Sequence, residues 1–332
     1  MMNTPIFSII LPIYNANLYV KETILSILGQ NFSDYELLLI DDGSTDGSGR
    51  IAEEISSDHA NVFYYKTDNG GVCSARNYGL KLAKGKYILF CDHDDLFLDG
   101  LLQRLFLELE NKEVDILKFS YETSVLVNGK ITKSYMVKSE NKQMKTIDLK
   151  ANYSLFNGFV NVVWNGAYRR EFLLDHGLLF DEKIKYGQED VIFNLNILSY
   201  DFNLMMIENL GYKHFIRHGQ SNSRNFNITK LDAINKSLQL ESSFLGYSND
   251  DTNMKIMAKY IRSFFVSLGM TNKPFENDDI KKSLDDFNRL LPQDCSYRLL
   301  VKTFIKYPKD VIKIILYKMH AFGLLIIMLG NQ

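Results

Sequence analysis

Short apolar runs alternate with amphipathic stretches through the first hundred residues. Residues 7–12, 35–40, 61–65 and 87–91 are apolar, rich in aromatic and branched side chains, and of strand length. Such runs are the pattern of strands covered on both faces of a sheet. Pro12 is expected to end the first, because proline cannot continue a hydrogen-bonded ladder. Residues 18–28 carry apolar positions at helical spacing, and a turn-rich Asp-Asp-Gly-Ser-Thr-Asp-Gly-Ser run supplies the N-cap of a helix over about 48–55. Gly70-Gly71 opens a third helix, with Gly85 as its C-cap. This alternation predicts right-handed βαβ units and a mostly parallel sheet.

Beyond Gly100 the pattern changes. A helix is expected over 101–109, a strand over 114–121, and a hairpin over 122–136 around Asn128-Gly129. A strand over 162–168, a helix over 170–176, a helix capped by Gln188-Glu189-Asp190 and running to about 200, and strands over 204–207 and 212–218 follow. Residues 230–245, 253–268, 278–291, 297–305 and 309–329 read as helices. The predicted class is α/β: a Rossmann-like, mostly parallel sheet flanked by helices, with a C-terminal helical appendage. The expected division lies near 222–227, giving a catalytic domain over 1–225, with halves of about 1–100 and 101–225, and a helical region over 226–332.

Composition narrows the class only modestly. The 332 residues are 46% hydrophobic and 23% charged, ordinary values for a globular protein with material for a core. A formal net charge of -2 gives no reason to expect nucleic acid. Cys73, Cys91 and Cys295 form no disulfide framework or zinc spacing, which fits a reducing cytosol. No signal peptide is evident, and no apolar run reaches the length of a membrane span. The 22 phenylalanines and 19 tyrosines against one tryptophan fit an aromatic-lined, membrane- or sugar-handling protein.

The candidate chemistry starts where residues 87–91 give way to Asp92-His93-Asp94-Asp95. Open α/β sheets bind ligands outside the carboxyl ends of their strands, and carboxylates converge comfortably only around a cation, for which hard divalent ions are suited. The plainer alternative is that Asp94, Asp95 and Asp99 are loop or cap residues of the next helix. Further motifs accompany them: Ser8-Ile9-Ile10-Leu11-Pro12-Ile13-Tyr14-Asn15, Asp41-Asp42-Gly43-Ser44-Thr45-Asp46, Ala75-Arg76-Asn77, Trp164-Asn165-x-x-Tyr168-Arg169-Arg170, Glu189-Asp190 and Arg217-x-x-x-Ser221. In order and spacing, over about 5–225, these resemble the motifs of family 2 glycosyltransferases.

The resemblance implies a GT-A fold and inverting transfer of a sugar from a nucleotide diphosphate, here a UDP-sugar. It implies that Pro12, Tyr14, Asn15 and Asp42 bind the nucleotide, with Asp42 accepting the uracil imino hydrogen and the Tyr14 ring stacking on the base; the alternatives are a core tyrosine for Tyr14 and a cap of the following turn for Asp42. Arg76 would hold phosphate or donor sugar by a fork of hydrogen bonds; the alternative is an ion pair on the helix surface. Asp92 would hold the ribose or the metal shell, and Asp94 would ligate Mg²⁺ or Mn²⁺. His93, turned away by strand alternation, reads as a packing histidine. Asp190 would be the general base, with Glu189 on the acceptor or orienting its loop; without the resemblance the pair reads as a helix N-terminus favoured by the dipole. Arg217, Ser221 and His218 fall in a stretch resembling a loop that closes over the diphosphate. Trp164 and Asp95 are assigned to the acceptor side, with a core role the alternative for Trp164.

Two other readings compete: a non-catalytic nucleotide-sugar or glycan-binding protein, and a sugar nucleotidyltransferase, whose Gly-rich triphosphate loop is missing here. The implied acceptor is a glycan or a lipid-linked oligosaccharide, as in capsule, O-antigen or exopolysaccharide assembly. Lys309, Lys313 and Lys318 among apolar residues suit residues 309–329 either to a membrane surface or to packing on this or a partner chain. The expected location is the cytoplasm, peripheral on the inner face of the plasma membrane.

Overall fold

The computed structural model describes residues 4–153, 160–185, 187–217, 228–246, 251–268 and 278–290. Its contacts group into two units, one of residues 1–182 with 196–221 and one of 183–195 with 222–332.

Among the described residues, the first unit carries all ten strands in one sheet. Its parallel part is β3 (Val62–Lys66), β2 (Tyr35–Asp41), β1 (Phe7–Ile13) and β4 (Tyr87–Phe90), in that order. Every residue of β1, β2 and β4 is buried, which is why they read as unbroken apolar runs. Helices α1 (Val20–Leu28), α2 (Ser48–Asp58) and α3 (Val72–Leu82) are the crossovers. Beyond β4 the sheet turns mixed. β9 (Gly166–Arg169) runs antiparallel between β4 and β6 (Ile116–Val127), and β10 (Asn203–Arg217) lies parallel to β6. Short strands β5 (Leu96–Phe97) and β8 (Lys142–Lys145), neither expected from the sequence, edge β10. β7 (Lys130–Val137) completes the hairpin with β6, and Asn128 and Gly129 both take the positive φ such a turn needs. Helices α4 (Leu101–Leu109), α5 (Thr146–Leu149) and α6 (Arg170–Asp175) complete the unit.

Several expectations need correction. Pro12 does not end β1, which runs to Ile13. Alternate residues of a strand bond to opposite neighbours: Ile13 faces β2 through the Asp42 amide, and Ile10 faces β4 through the Cys91 amide. Pro12 shares the side of Ile10, where β4 has already stopped at Phe90, so its missing N–H breaks no ladder. The two expected strands over 204–207 and 212–218 are one strand with register shifts between Ile207 and Tyr212, where Gly211 fits against Leu101 and Phe119. Of the run 162–168 only 166–168 joins the ladder, in a strand that continues to Arg169; Val163 and Trp164 are buried without it.

Gly85 is no C-cap. α3 ends at Leu82 with Ala83 as its cap, and Gly85 instead lies against β1. Its amide donates to Ser8 Oγ (2.7 Å), and Ser8 Oγ donates to the buried carboxylate of Glu36 (2.5 Å), which also accepts from the Lys84 amide (2.6 Å). Close backbone approach is what selects glycine there.

In the second unit, α8 (Ile228–Leu245) packs with α9 (Asp251–Leu268) and α10 (Asp278–Leu290). Phe264 and Phe287 stack at 4.2 Å, and the buried Glu241 accepts from Tyr260 and from Lys259. Residues 183–195 go with these helices: Ile184 and Ile192 form a core cluster with Ala233. Most of α7 (Glu189–Ile197) belongs here. The helices expected over 297–305 and 309–329 lie outside the described residues. Among the described residues, no helix is long and apolar enough to cross a membrane.

A methyl group on Gly85 would sit 2.5 Å from the Ser8 nitrogen and 2.6 Å from the Phe7 carbonyl carbon, both backbone atoms that cannot give way. Gly85→Ala should therefore lower stability by ~1–3 kcal/mol, the usual range for overpacking. Chemical denaturation checks it, and an unchanged midpoint would contradict the close approach.

Candidate active site

The carboxyl ends of β1, β2 and β4 bring the first three motifs to one edge of the sheet. The Asp42 amide donates to the Ile13 carbonyl (2.9 Å), aligning the loops that follow β1 and β2. Asp41 and Asp42 are both buried but serve different partners. Asp41 accepts from the Ser44 amide (2.9 Å) and the Tyr64 hydroxyl (2.7 Å), so it ties β2 to β3. Asp42 accepts from the amides of Gly70 and Gly71, one on each carboxylate oxygen at 2.8 Å. It thereby caps α3 rather than its own turn, and a charge at a helix N-terminus is favoured by the dipole. Each oxygen keeps a further lone pair. Gly71 takes φ +90°, open to glycine without strain.

Tyr14 stands over this edge with 39% of its surface exposed, so it is not a core residue. Asn15 next to it adopts φ +48° and accepts from the Thr45 amide (2.9 Å), while its own amide donates to Ser44 Oγ (3.1 Å). The side chain of Asn15 thus holds the loop after β2 in place. His93 Nδ1 lies 3.3 Å from the Pro12 carbonyl oxygen, and the His93 carbonyl accepts from Thr23 (2.9 Å).

The three acids after β4 part company. Asp92 Oδ1 accepts from the buried Arg76 (2.8 Å), whose guanidinium also lies over the Phe180 ring at 5.1 Å. Arg76 therefore pairs from a buried position, not on the helix surface. Asp94 pairs with Arg217, which donates to its Oδ2 (2.6 Å) and its carbonyl (2.7 Å) while its guanidinium sits between the rings of Tyr19 and Phe215. Asp92 and Asp94 are both partly exposed. One oxygen of each, Asp92 Oδ2 and Asp94 Oδ1, makes no hydrogen bond among the described residues.

Asp95 turns inward and is fully buried. It accepts from the Tyr212 hydroxyl (2.9 Å), His214 Nδ1 (3.0 Å) and the Phe215 amide (2.8 Å). It leaves no surface for the acceptor contact expected of it; here it anchors β10. Trp164, also expected to face an acceptor, is buried. Its ring stacks on Tyr212 (4.4 Å) and His214 (5.1 Å) and meets Tyr121 edge-on (4.6 Å).

Among the described residues, no group of three or more His, Cys, Asp or Glu side chains is placed to hold a metal ion. Two open carboxylate oxygens are nevertheless a donor set that fits Mg²⁺ or Mn²⁺, which take one or two protein carboxylates and complete their shell with phosphate and water. Glu189 and Asp190 lie in the second unit, in the first turn of α7 behind Gly187 (φ +85°) and Gln188 (φ +74°). Lys230 of the same unit loses basicity through burial, an effect the Glu189 charge opposes. Ser221 and His218 lie outside the described residues. A cavity of about 490 Å³ along α3, lined by Tyr78, Leu80, Arg170, Leu173 and Leu178, contains none of the expected site residues.

Some polar positions escaped the sequence reading. Lys118 is fully buried and donates to the Tyr168 hydroxyl (2.7 Å), the Val162 carbonyl (3.1 Å) and Asn165 (3.2 Å). Its signal was a lysine inside the apolar run Ile116-Leu117-Lys118-Phe119. Asn77 bonds the Phe180 backbone through both ends of its amide and reaches Glu182. His214 had no signal of its own, because only folding brings it to Asp95.

Burial pushes the Asp95 carboxyl up from 3.8 to about 6, against the pull of His214. Burial also works against charge on His214, but the hydrogen bond and charge of Asp95 outweigh it and raise the imidazole above 6.5. Both folded values exceed the unfolded ones, so the native cluster binds more protons. Its stabilisation is complete below the unfolded values and is lost as pH rises through the folded ones. In metal-free buffer, the stability gap between the parent and Asp95→Asn/His214→Gln should shrink between about pH 5 and pH 8. Urea midpoints across that range measure it; a constant gap would refute the shifts.

Comparison with known proteins identifies the family. Residues 8–177 match the profile of Glycosyl transferase family 2. Over 197 residues, 58% of this chain, the sequence is 38% identical to EpsJ of Bacillus subtilis (strain 168), described as an uncharacterized glycosyltransferase, and the match spans 56% of that protein. Another 45% match, over 115 residues and 33% of this chain, is to the minor teichoic acid biosynthesis protein GgaB of the same bacterium but spans only 13% of it. The chain thus spans little more than half of one of these relatives and a small part of the other. An uncharacterized glycosyltransferase of Rickettsia typhi is 28% identical over 295 residues, covering 81% of this chain and 86% of that one. The crystal structure of S. aureus TarS 1-349 superposes on 98% of this chain and 90% of its own with a TM-score of 0.67 at 18% identity, a likeness of fold that makes the sheet a GT-A sheet. The chain belongs to glycosyl transferase family 2.

Proposed function

We propose that this enzyme transfers a sugar, with inversion, from a UDP-sugar to a hydroxyl of a glycan or lipid-linked acceptor in cell-surface polysaccharide assembly. One observation carries the reading. At the carboxyl edge of the sheet, Asp92 and Asp94 are each fixed by an arginine through one oxygen and keep the other open, beside the exposed Tyr14 ring and the amide-bound Asp42. Two further facts support it. Structures of S. aureus TarS similar to this one were solved with UDP and with UDP-GlcNAc, at TM-scores of 0.65 and 0.58. The relatives GgaA and GgaB are named for minor teichoic acid biosynthesis.

On this reading the Tyr14 ring stacks on uracil, and Asp42 accepts the imino hydrogen with a lone pair the Gly70 and Gly71 amides leave free. Pro12 and Asn15 shape the base pocket through the backbone they fix. Asp92 and Asp94 would hold Mg²⁺ or Mn²⁺ through their open oxygens. When bound, the ion supplies positive charge to the departing diphosphate. Arg76 holds Asp92 in place, and Arg217 exchanges part of its contact with Asp94 for the diphosphate, joined by Ser221. Trp164 and Asp95, being buried, act on the acceptor side only through the β10 they position. Asp190 takes the proton of the acceptor hydroxyl as that oxygen attacks the anomeric carbon, with Glu189 orienting the acceptor. The reading puts the reaction in the cytoplasm, at the inner face of the membrane.

Asp94→Ala should abolish the Mn²⁺-dependent part of UDP affinity and leave the fold intact. Thermal shifts with UDP, with and without Mn²⁺, read this directly, since a ligand of the native state raises its melting temperature. Equal shifts in mutant and parent would remove Asp94 from the metal site.

Asp190→Asn keeps the shape of the side chain and removes its proton affinity. Turnover should fall by ~10²–10⁴, the usual contribution of general-base catalysis, while the UDP thermal shift stays as in the parent. Glu189→Gln should raise the acceptor KM more than it lowers kcat. Near-parental turnover in Asp190→Asn with an inactive Glu189→Gln would move the base one residue back.

A further inference from the structure

The β6–β7 hairpin stands apart from the site residues. β7 pairs with β6 alone among the described residues, leaving its other edge free. Seven consecutive residues of β7, including both parities of the strand, are exposed, so neither face of this ribbon packs on the core. Yet it carries large apolar side chains: Ile131, Tyr135 and Met136 are 53%, 43% and 54% exposed. Interleaved with them are Lys130 and Lys133, the latter with its ammonium 5.7 Å from the Tyr135 ring centre. From Asn128 to Lys145 there are five lysines and one acid, Glu140, in a chain whose net charge is -2.

We infer that the tip of this hairpin docks on an anionic lipid bilayer. Exposed apolar and aromatic side chains flanked by lysines are the composition of an interfacial membrane contact, in which the apolar groups enter the headgroup boundary and the cations meet anionic lipid. A soluble polyanion would satisfy the lysines but leave Ile131 and Met136 in water. Strand pairing with a second copy is opposed by the lysines, the usual guard on a free sheet edge. The ribbon also has a direct structural link to the site. β6 pairs in parallel with β10 up to Leu126 opposite Arg217, so docking the turn brings the bilayer beside the strand end that holds Asp94. The inference does not depend on which donor or acceptor the enzyme uses.

The test is sedimentation of the full chain with vesicles of phosphatidylcholine alone and of an equal mixture with phosphatidylglycerol. The parent should bind the mixture at low salt and leave neutral vesicles in the supernatant. Each lysine near such a surface is worth about fivefold, so Lys130→Gln/Lys133→Gln should weaken partition about thirtyfold. Ile131→Ser/Met136→Ser, which keeps every charge, should weaken it as well. Both variants should melt as the parent does and keep its UDP thermal shift. Parental binding by both variants, no binding by the parent, or equal binding to neutral vesicles would overturn the inference. So would conversion of a parental dimer to monomer by Ile131→Ser/Met136→Ser in the absence of lipid.

Discussion

A buried carboxylate with three donors around it governs the site edge. Asp95 joins the end of β4 to β10 through a hydroxyl, an imidazole and a backbone amide. A carboxylate taken wholly out of water is tolerated only when its oxygens are satisfied, so the chain on both sides of it is held to one geometry. The turn Asp92–Asp95 cannot drift from β10, and the short pairing of β5 with Tyr212 and Lys213 follows from that anchor. Removing one partner from such a group is more damaging than replacing the whole cluster by apolar side chains.

The neighbours of Asp95 show how an acid-rich turn is kept from repelling itself. Arg76 arrives from α3 and Arg217 from β10, each binding one oxygen of one aspartate. Arginine suits this role because its planar, always-charged head can hold a carboxylate while lying against aromatic rings, as both do here. The arrangement offsets the charge of each acid and leaves half of each carboxylate available.

How much of this was legible in the sequence depended on whether a signal was local. The three buried strands β1, β2 and β4, helix α4, and the Asn128-Gly129 turn were readable because burial on both faces, amphipathic spacing and positive φ each leave a mark within a few residues. Pro12 and Gly85 were misread for a shared reason: both residues usually punctuate, and here each is permitted by a neighbouring strand that the local sequence does not name. The break at Glu208-Asn209 suggested two strands because a bulge and a loop have the same polar pattern. In the site, the motifs marked Asp92, Asp94 and Asp95 together, but nothing local said that the third would turn inward. Its partners lie more than a hundred residues away. Lys118 was visible as a pattern violation, whereas the grouping of residues 183–195 with the C-terminal helices follows from contacts no chain-order argument supplies.

The stacking of Trp164 on Tyr212 and His214 has a consequence for how the protein can be watched. Trp164 is the only tryptophan among 332 residues, so the indole emission of the whole chain comes from one point packed against β6 and β10. An imidazolium ring in van der Waals contact with an excited indole accepts an electron from it and darkens it, while a neutral imidazole does so far less. His214 is raised in basicity and stacked at 5.1 Å from that indole, so the protein carries an intrinsic optical probe. Its brightness follows the protonation and packing of β10, and it needs no label.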